Sequence, residues 1–517
     1  MTGTEVQAPA REHRVLGLVV HGIGQQSLGA TLKHVLEGFL PLVRLIDPGA
    51  GISARPLDRG DPTDVMIRFR GASQKTSRIE GYEMRFKEVW WASTFEPPSI
   101  GEMVAGVPDL VMNVARRRGA RGIRAFGWLV WAAIRRGTLD VWHVAVALVC
   151  SVLAFVLAPA SWRWNERFDG DLRWLLQRVA RGQTALAELL VLVLSPAVLA
   201  LVLMPLRVIE FAVPANLRFE GLSKFRLMLI GIFTEHLGDM WLYLNRPWEA
   251  SRIRVRLEDR FREIVDEMND PLTESRVECV MVISHSMGAV VTYEALTGRR
   301  MRDLLEKHFG GEGQPKLIFV TVGAGLNLAW QLVPSREEAR LVRPCSECLE
   351  WHDFWSKLDP VPRGALMPPK PLTGARESHE VVNQMDVFSD HTAYWNNAEQ
   401  VLAPLLDLAT DHHFDDKLCL DQAAREKRVY VLSALKGLTW LAAPVAAYLL
   451  AFEFSGWTDW LTDQAFAVLG VEVDLPAALV RIGAALAGAA AVVVAYSTLV
   501  KCWWNSWDNR VKHLPAR

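Results

Sequence analysis

The chain has 517 residues, too many for one simple core, and its formal net charge of −1 gives no global field that would draw it to nucleic acid. Half of its residues are apolar although 22% are charged, and the mean hydropathy is +0.12. These values coexist when polar and very apolar blocks are segregated along the chain. Six scattered cysteines form no disulfide framework and fit a reducing compartment. The polar stretch 1–14 lacks the apolar run of a cleavable signal peptide.

In chain order, Arg14-Val15-Leu16-Gly17-Leu18-Val19-Val20 reads as a short apolar strand that stops at His21-Gly22-Ile23-Gly24. Residues 27–39 follow with helical spacing, 65–69 alternate as a strand does, and 88–92 end another strand. Between Arg116 and Arg136, arginines interleave with Phe126, Trp128, Leu129 and Trp131. That composition suits a helix lying on an anionic leaflet; a solvated basic face is the plainer alternative.

Two apolar blocks come next, at 141–161 and 185–206, and two more lie at 437–454 and 482–500. A bilayer crossing takes about 20 residues, so the blocks are expected to form two transmembrane hairpins, with buried core helices as the alternative. Trp142, Trp162 and Trp164 flank the first block, and Trp440, Trp457 and Trp460 lie near the third, where interfacial aromatic residues belong. Small residues at 484–495 suit close helix packing in lipid, and Glu188 is a carboxylate inside the second block. Basic residues flank the outer ends of the blocks, while Asp459, Asp463, Glu472 and Asp474 lie in the loop between the third and fourth. The positive-inside rule then places both termini and the central region on the cytoplasmic side of an inner or plasma membrane, although the first hairpin's loop also holds arginines.

Helical spacing returns over 222–244 and 251–268. The most informative stretch follows. Val280-Met281-Val282-Ile283 reads as a buried strand that breaks at Ser284-His285-Ser286-Met287-Gly288, and a helical run begins at once. Strand, small-x-Ser-x-Gly turn and helix are the context of a nucleophile elbow, here with serine in place of the commoner glycine at the first small position. A buried strand at 317–322 comes next. Cys345 and Cys348 form a C-x-x-C pair near His352, for which His412, His413 or Cys419 would have to complete a metal site; an incidental loop pair is the simpler reading. Strands are expected at 349–355 and 380–385, and a closing helix at 392–408.

A serine hydroxyl attacks only when a base removes its proton, and the base needs a carboxylate to hold its tautomer. Asp359, in Leu358-Asp359-Pro360-Val361, follows one expected strand, and His391 follows the last. Ser286, Asp359 and His391 therefore occur in the order Ser, Asp, His. Asp353 is the rival acid inside a strand pattern, and His379 is a rival base placed before its strand. His285 adjoins the serine and is expected to point away from the hydroxyl. Two backbone N–H groups would receive an oxyanion, one from Met287 and one from Ile23 or Gly24.

Alternating strands and helices predict an α/β fold, a mostly parallel sheet with helices on both faces. The motifs at His21–Gly24, Ser284–Gly288, Asp359–Val361 and His391–Trp395 resemble the α/β-hydrolase superfamily, with its lipase and esterase branch the best match. The Asp-Pro-Val turn is also similar to that of DDHD-type phospholipases, without a full match to their metal-binding residues. The resemblance covers 14–100 and 220–410. It implies cleavage of a carboxylic ester through an acyl-enzyme, with Ser286 as nucleophile, His391 as base, Asp359 as orienting acid and no metal or organic cofactor. The expected organisation is a hydrolase domain in two parts, 14–100 and 216–410, interrupted by an insertion at 114–215 and followed by a second hairpin at 430–502. The hairpins point to a lipid or amphiphilic ester as substrate and the membrane as partner; no residue pattern specifies an oligomeric state. An acyltransferase or thioesterase with the same triad, or a non-catalytic membrane scaffold, are the competing expectations.

Overall fold

The computed structural model describes residues 11–22, 27–50, 64–70, 79–92, 243, 246–270, 276–309, 311–327, 329, 349–356, 359, 361–362, 364–366, 376–383 and 390–414, with isolated positions between 418 and 429. Seven strands form one sheet. They are β1 (Arg11–Val20), β2 (Asp64–Arg70), β3 (Ile79–Val89), β4 (Val277–His285), β5 (Lys316–Val322), β6 (Leu349–Ser356) and β7 (Arg376–Val381), in the spatial order β2-β3-β1-β4-β5-β6-β7. All neighbours run parallel except β2, which is antiparallel to β3 and forms one edge. Central strands of such a sheet are covered on both faces and therefore read as continuous apolar runs. In β4 and β5 every residue from Cys279 to His285 and from Leu317 to Val322 is buried.

The helices divide between the two faces. On one side pack α2 (Pro247–Met268), α3 (Met287–Leu296) and α4 (Arg299–His308), whose apolar residues join Leu16, Leu18, Val280, Val282 and Phe319 of the sheet. In α2 the buried positions Ala250, Ile253, Leu257, Phe261 and Ile264 recur every three or four residues, the stripe of a helix with one covered side. On the other side α1 (Ala30–Ile46) and a closing segment ending in α5 (Ala403–Ala409) cover Val15, Val19, Met281, Ile283 and Val320. Helix α1 begins at Gly29, which offers no side chain as a cap. The Glu88 carboxylate of β3 does so instead, accepting the N–H groups of Gly29 and Thr31 at 2.5 and 3.2 Å. An α/β sheet with helices on both faces is therefore present as expected from the alternating pattern.

Several boundaries differ from the sequence reading. Helix α1 continues past Phe39 through Pro41, because Leu42, Val43 and Ile46 extend its buried side. Strand β3 ends at Val89, and β7 occupies Arg376–Val381 rather than 380–385. β7 is the other edge of the sheet, where a strand with polar Glu377, Ser378, His379 and Glu380 is tolerated without apolar alternation. His379 consequently lies inside the strand and not before it. The helix expected at 392–408 is three pieces, a 3₁₀ turn (Ala393–Asn396), a π-helical turn (Ala398–Leu402) and α5. Buried Asn397 interrupts it. Its Nδ2 donates to Asn383 Oδ1 at 2.9 Å and to the Val382 carbonyl, while its Oδ1 accepts the Gln400 N–H at 3.0 Å.

The chain divides into two compact units. The first comprises Met1–Trp131, Leu190–Asn383 and Val387–Gln422, and holds the sheet; the second comprises Ala132–Leu189, Gln384–Asp386 and Ala423–Arg517. Among the described residues no helix is long and apolar enough to cross a membrane. The four apolar blocks, the basic segment 116–136 and both cysteines of the C-x-x-C pair lie outside the described residues, as does the expected helix at 222–244 except for Tyr243.

Candidate active site

Four strands deliver groups to one end of the sheet. β1 ends at His21-Gly22, β4 at Ser286, β6 before Asp359 and β7 before His391, so all arrive at the carboxyl ends of parallel strands, where ligand sites of such sheets form. Ser286 occupies the single-residue turn between β4 and α3, with φ 56° and ψ −122°, a backbone conformation that a non-glycine residue adopts only where its surroundings impose it. The constraint is visible on both sides. Its N–H donates to the Val322 carbonyl at 3.0 Å, and its carbonyl accepts the Gly325 N–H at 3.1 Å. A Cβ at Gly288 would stand 2.4 Å from the His21 carbonyl oxygen, so only glycine lets α3 approach β1 this closely. The serine at the first small position is accommodated because Ser284 Oγ pairs with Thr292 Oγ1 at 2.8 Å inside the core.

The three groups singled out in the sequence meet. Ser286 Oγ lies 2.8 Å from His391 Nε2, and His391 Nδ1 lies 3.0 and 2.9 Å from the two oxygens of Asp359. A carboxylate only accepts, so His391 carries its proton on Nδ1 and donates it to Asp359; Nε2 is then free to accept the serine O–H. Asp359 is fully buried, whereas His391 keeps part of its ring exposed. Two further donors hold the carboxylate in place, the Tyr394 hydroxyl at 2.8 Å and the Val361 N–H at 2.9 Å. Burial and the neighbouring Asp359 keep the Tyr394 phenol protonated, its pKa raised well above the ordinary value, so it stays a donor.

The rivals fall elsewhere. Asp353 is buried inside β6 and accepts the Thr321 hydroxyl at 2.7 Å. His379 stacks on Phe354 with ring centroids 4.6 Å apart. His285 does avoid the serine hydroxyl, and it has a partner: its Nε2–H donates to the His391 carbonyl at 2.8 Å, with the two rings 4.7 Å apart. Burial pushes its pKa down to about 3, with the His391 ring adding to the shift, so it is neutral.

On the oxyanion side, Met287 is the first residue of α3, and the first N–H groups of a helix have no acceptor within it. Ile23 and Gly24 lie outside the described residues, but Gly22, directly before them, sits against the serine. A Cβ on Gly22 would be 2.7 Å from Ser286 Cβ. His21 fixes the backbone at Gly22. Its Nδ1–H donates to the Gly22 carbonyl at 2.8 Å, its Nε2 accepts the Trp91 N–H at 2.9 Å, and its ring stacks on Trp91 at 4.5 Å. Burial lowers its pKa to about 4, in keeping with a neutral ring that accepts on one nitrogen and donates on the other.

The His391 turn is braced from below. The Ser356 hydroxyl donates to the Asp390 carboxylate, and Asn383 Nδ2 donates to the Asp390 carbonyl at 3.0 Å. Sequence reasoning gave no role to Tyr394, Ser356, Asp390 and Asn383, although Tyr394 stands in the His-x-x-Tyr run that marked the base. Together the residues provide a hydroxyl, a base able to take its proton and a fixed anion behind that base, an arrangement suited to nucleophilic attack on an acyl carbon. In comparisons with known proteins, no family model, no curated protein and no solved structure matches the chain.

Proposed function

We propose that this chain is a serine ester hydrolase of the α/β-hydrolase type, anchored in a membrane and acting on a lipid or other amphiphilic ester at the cytoplasmic face. The observation that carries the reading is the continuous chain from Ser286 Oγ through His391 to the buried Asp359, with spacings of 2.8 and 2.9 Å. The strained φ of Ser286 supports it, since a buried non-glycine residue is held so only where neighbouring structure over-determines it.

In this reading Ser286 Oγ attacks the ester carbonyl carbon while His391 Nε2 takes the hydroxyl proton. The resulting imidazolium lies against Asp359, and the oxyanion is received by the N–H of Met287 and that of Ile23 or Gly24. When the tetrahedral carbon collapses, the bond to the alcohol oxygen breaks and the alcohol leaves with the proton from His391. Water then repeats the sequence on the acyl-serine, releasing the acid and restoring the hydroxyl. No step needs a metal or an organic cofactor. The lipid substrate and the membrane location rest on the apolar blocks at 141–161, 185–206, 437–454 and 482–500, not on the serine.

A fluorophosphonate probe on membranes containing the full chain tests the chemistry. Wild type is expected to label covalently at Ser286, with no label on Ser286→Ala or His391→Gln variants that fold. An unlabelled wild type would overturn catalysis in favour of a scaffold that keeps the fold. Supplying a primary alcohol during turnover of a short-chain ester separates hydrolysis, which yields the free acid, from acyl transfer, which yields the new ester.

A further inference from the structure

Away from Ser286, the edge pair β6 and β7 gathers four polar side chains on one face. His352 stands opposite Glu377 in the register and Phe354 opposite His379, so the two-residue period of each strand turns Glu350, His352, Glu377 and His379 the same way. His352 Nδ1 lies 3.1 Å from His379 Nε2, and each is close to a Glu377 carboxylate oxygen, at 3.7 and 3.8 Å. Two imidazole nitrogens and a carboxylate oxygen thus form a nearly equilateral triangle. Ligands of a tetrahedral zinc ion, at about 2.0–2.2 Å from the metal, stand about 3.3 Å from one another, so small side-chain adjustments would close this triangle on a cation.

The groups behind the triangle are arranged for the same task. His352 is buried, and its Nε2–H donates to Glu350 at 2.7 Å, which leaves Nδ1 as the lone-pair nitrogen aimed at the triangle. A carboxylate on the far nitrogen of a histidine is the usual support of a metal-bound imidazole, fixing its tautomer and raising its basicity. The other Glu350 oxygen lies 2.9 Å from Lys316 Nζ, which holds the carboxylate in place. The His379 ring is sandwiched between His352 and Phe354, with centroids 5.4 and 4.6 Å away, and only a third of its side chain is exposed.

We propose that His352 Nδ1, His379 Nε2 and a Glu377 carboxylate oxygen bind a divalent cation of the zinc class, with the fourth position open to water. The donor set of two imidazoles and one carboxylate suits zinc better than calcium or magnesium, which prefer oxygen donors throughout. Without metal, a proton on His379 Nε2 bridges the two rings; with metal, that proton sits on His379 Nδ1 and both facing nitrogens coordinate. The ion would clamp the edge strand β7 to β6. The site is independent of the hydrolase reading, since none of these side chains contacts Ser286, Asp359 or His391 in the described hydrogen-bond network.

The test uses the full chain, stripped with a chelator and titrated with Zn(II) against a chromophoric competitor, with Co(II) as a spectroscopic stand-in. One equivalent is expected to bind and to raise the thermal transition. His379→Gln and Glu377→Gln, both at accessible positions, should weaken binding at least about ten-fold, and Glu350→Gln by about 10–100-fold. Co(II) should give tetrahedral visible bands without thiolate charge transfer, unchanged in a Cys345→Ser, Cys348→Ser variant. Absent binding, binding that is indifferent to His379→Gln, or a thiolate spectrum lost with the two cysteines would each overturn the proposal. Thermal transitions measured in chelator identify any variant that has lost its fold, and Glu377→Gln, at an exposed residue, keeps the test decisive.

Discussion

The hydroxyl of Tyr394 donates to Asp359 Oδ2 at 2.8 Å and, through the same oxygen, accepts the Ser356 N–H at 2.9 Å. One phenol therefore joins the end of β6 to the carboxylate that orients His391. The link explains why a residue three positions after the base belongs to the site. It fixes the acid relative to the strand that carries it, and it supplies a hydrogen bond that Val361 alone would not replace.

Removing that hydroxyl isolates its contribution. In Tyr394→Phe the ring remains packed, but Asp359 loses a donor and the Ser356 N–H is left buried without its acceptor. Stability is expected to fall by about 1–3 kcal/mol, the cost of unsatisfied buried polar groups. Fluorophosphonate labelling of Ser286 should slow by about ten-fold as Asp359 gains freedom to turn from His391. Denaturant unfolding and labelling time courses measure the two effects separately. A labelling rate equal to wild type would show that Val361 and His391 hold the carboxylate by themselves.

Gly323 is confined by both the acid and the base. Its φ is +57°, and a Cβ there would come within 2.9 Å of Asp359 Oδ2, 2.8 Å of the Tyr394 ring and 3.3 Å of His391 Nδ1. Gly323→Ala combines backbone strain of about 1–3 kcal/mol with displacement of the acid and the base. Labelling is expected to drop by 100-fold or more, a loss exceeding what the stability change alone produces, because misplacing reacting groups by about 1 Å is enough. Retained labelling in a folded Gly323→Ala protein would mean that the loop relaxes without moving the triad.

The parts of the site that could be read from the sequence are those encoded locally. A buried apolar strand running directly into Ser284-His285-Ser286-Met287-Gly288 has few structural alternatives, and chain order then selects Asp359 and His391 as the residues that follow later strands. What stayed hidden depends on contacts between distant segments. His285 meets the His391 carbonyl 106 positions away, and Glu88 caps α1 across 57 positions to Thr31. Neither leaves a periodic trace. β7 departs from the sequence expectation for a different reason. An edge strand has one open side, so Glu377, Ser378, His379 and Glu380 carry no apolar alternation, and the apolar pair Val381 and Val382 lies at its end. Similarly, the helical spacing of 392–408 could not reveal that Asn397 turns inward to bind Asn383 and breaks the helix.

Acid should weaken the fold through the two histidines that shape the site. His285 and His21 have pKa values pushed down to about 3 and about 4 by burial, against an ordinary 6.5. Below 6.5 the unfolded chain binds protons that the folded chain refuses, so stability is fully present above that pH and declines as pH falls toward 4. The slope is about 1.4 kcal/mol per pH unit for each imidazole that takes up a proton only on unfolding. Denaturant titrations between pH 7 and pH 4 should show that decline, and His285→Asn should reduce its slope. A flat profile over this range would contradict the neutral assignment of both rings.

Away from the site, Glu267, near the end of α2, gathers three cations. Its carboxylate receives Arg14 Nη2 at 2.7 Å and Arg85 Nη1 at 2.9 Å, with Lys87 Nζ at 3.4 Å. Arg14 also binds Glu83, and Arg85 binds Asp64, so the carboxylate closes a network joining β1, β2, β3 and α2. The Glu267 side chain is only 11% exposed and that of Arg14 only 7%, so solvent would not restore the lost charge. Glu267→Gln removes the anion that three cations share in a largely buried space. Breaking one partner out of a buried ionic network costs about 3–5 kcal/mol, far more than an exposed pair, which is worth at most about 1 kcal/mol. The surface pair Lys33–Glu37, with both side chains more than half exposed, supplies the internal control. Glu37→Gln should leave the unfolding midpoint nearly unchanged while Glu267→Gln lowers it sharply, and equal effects at the two positions would show that water reaches the Glu267 network.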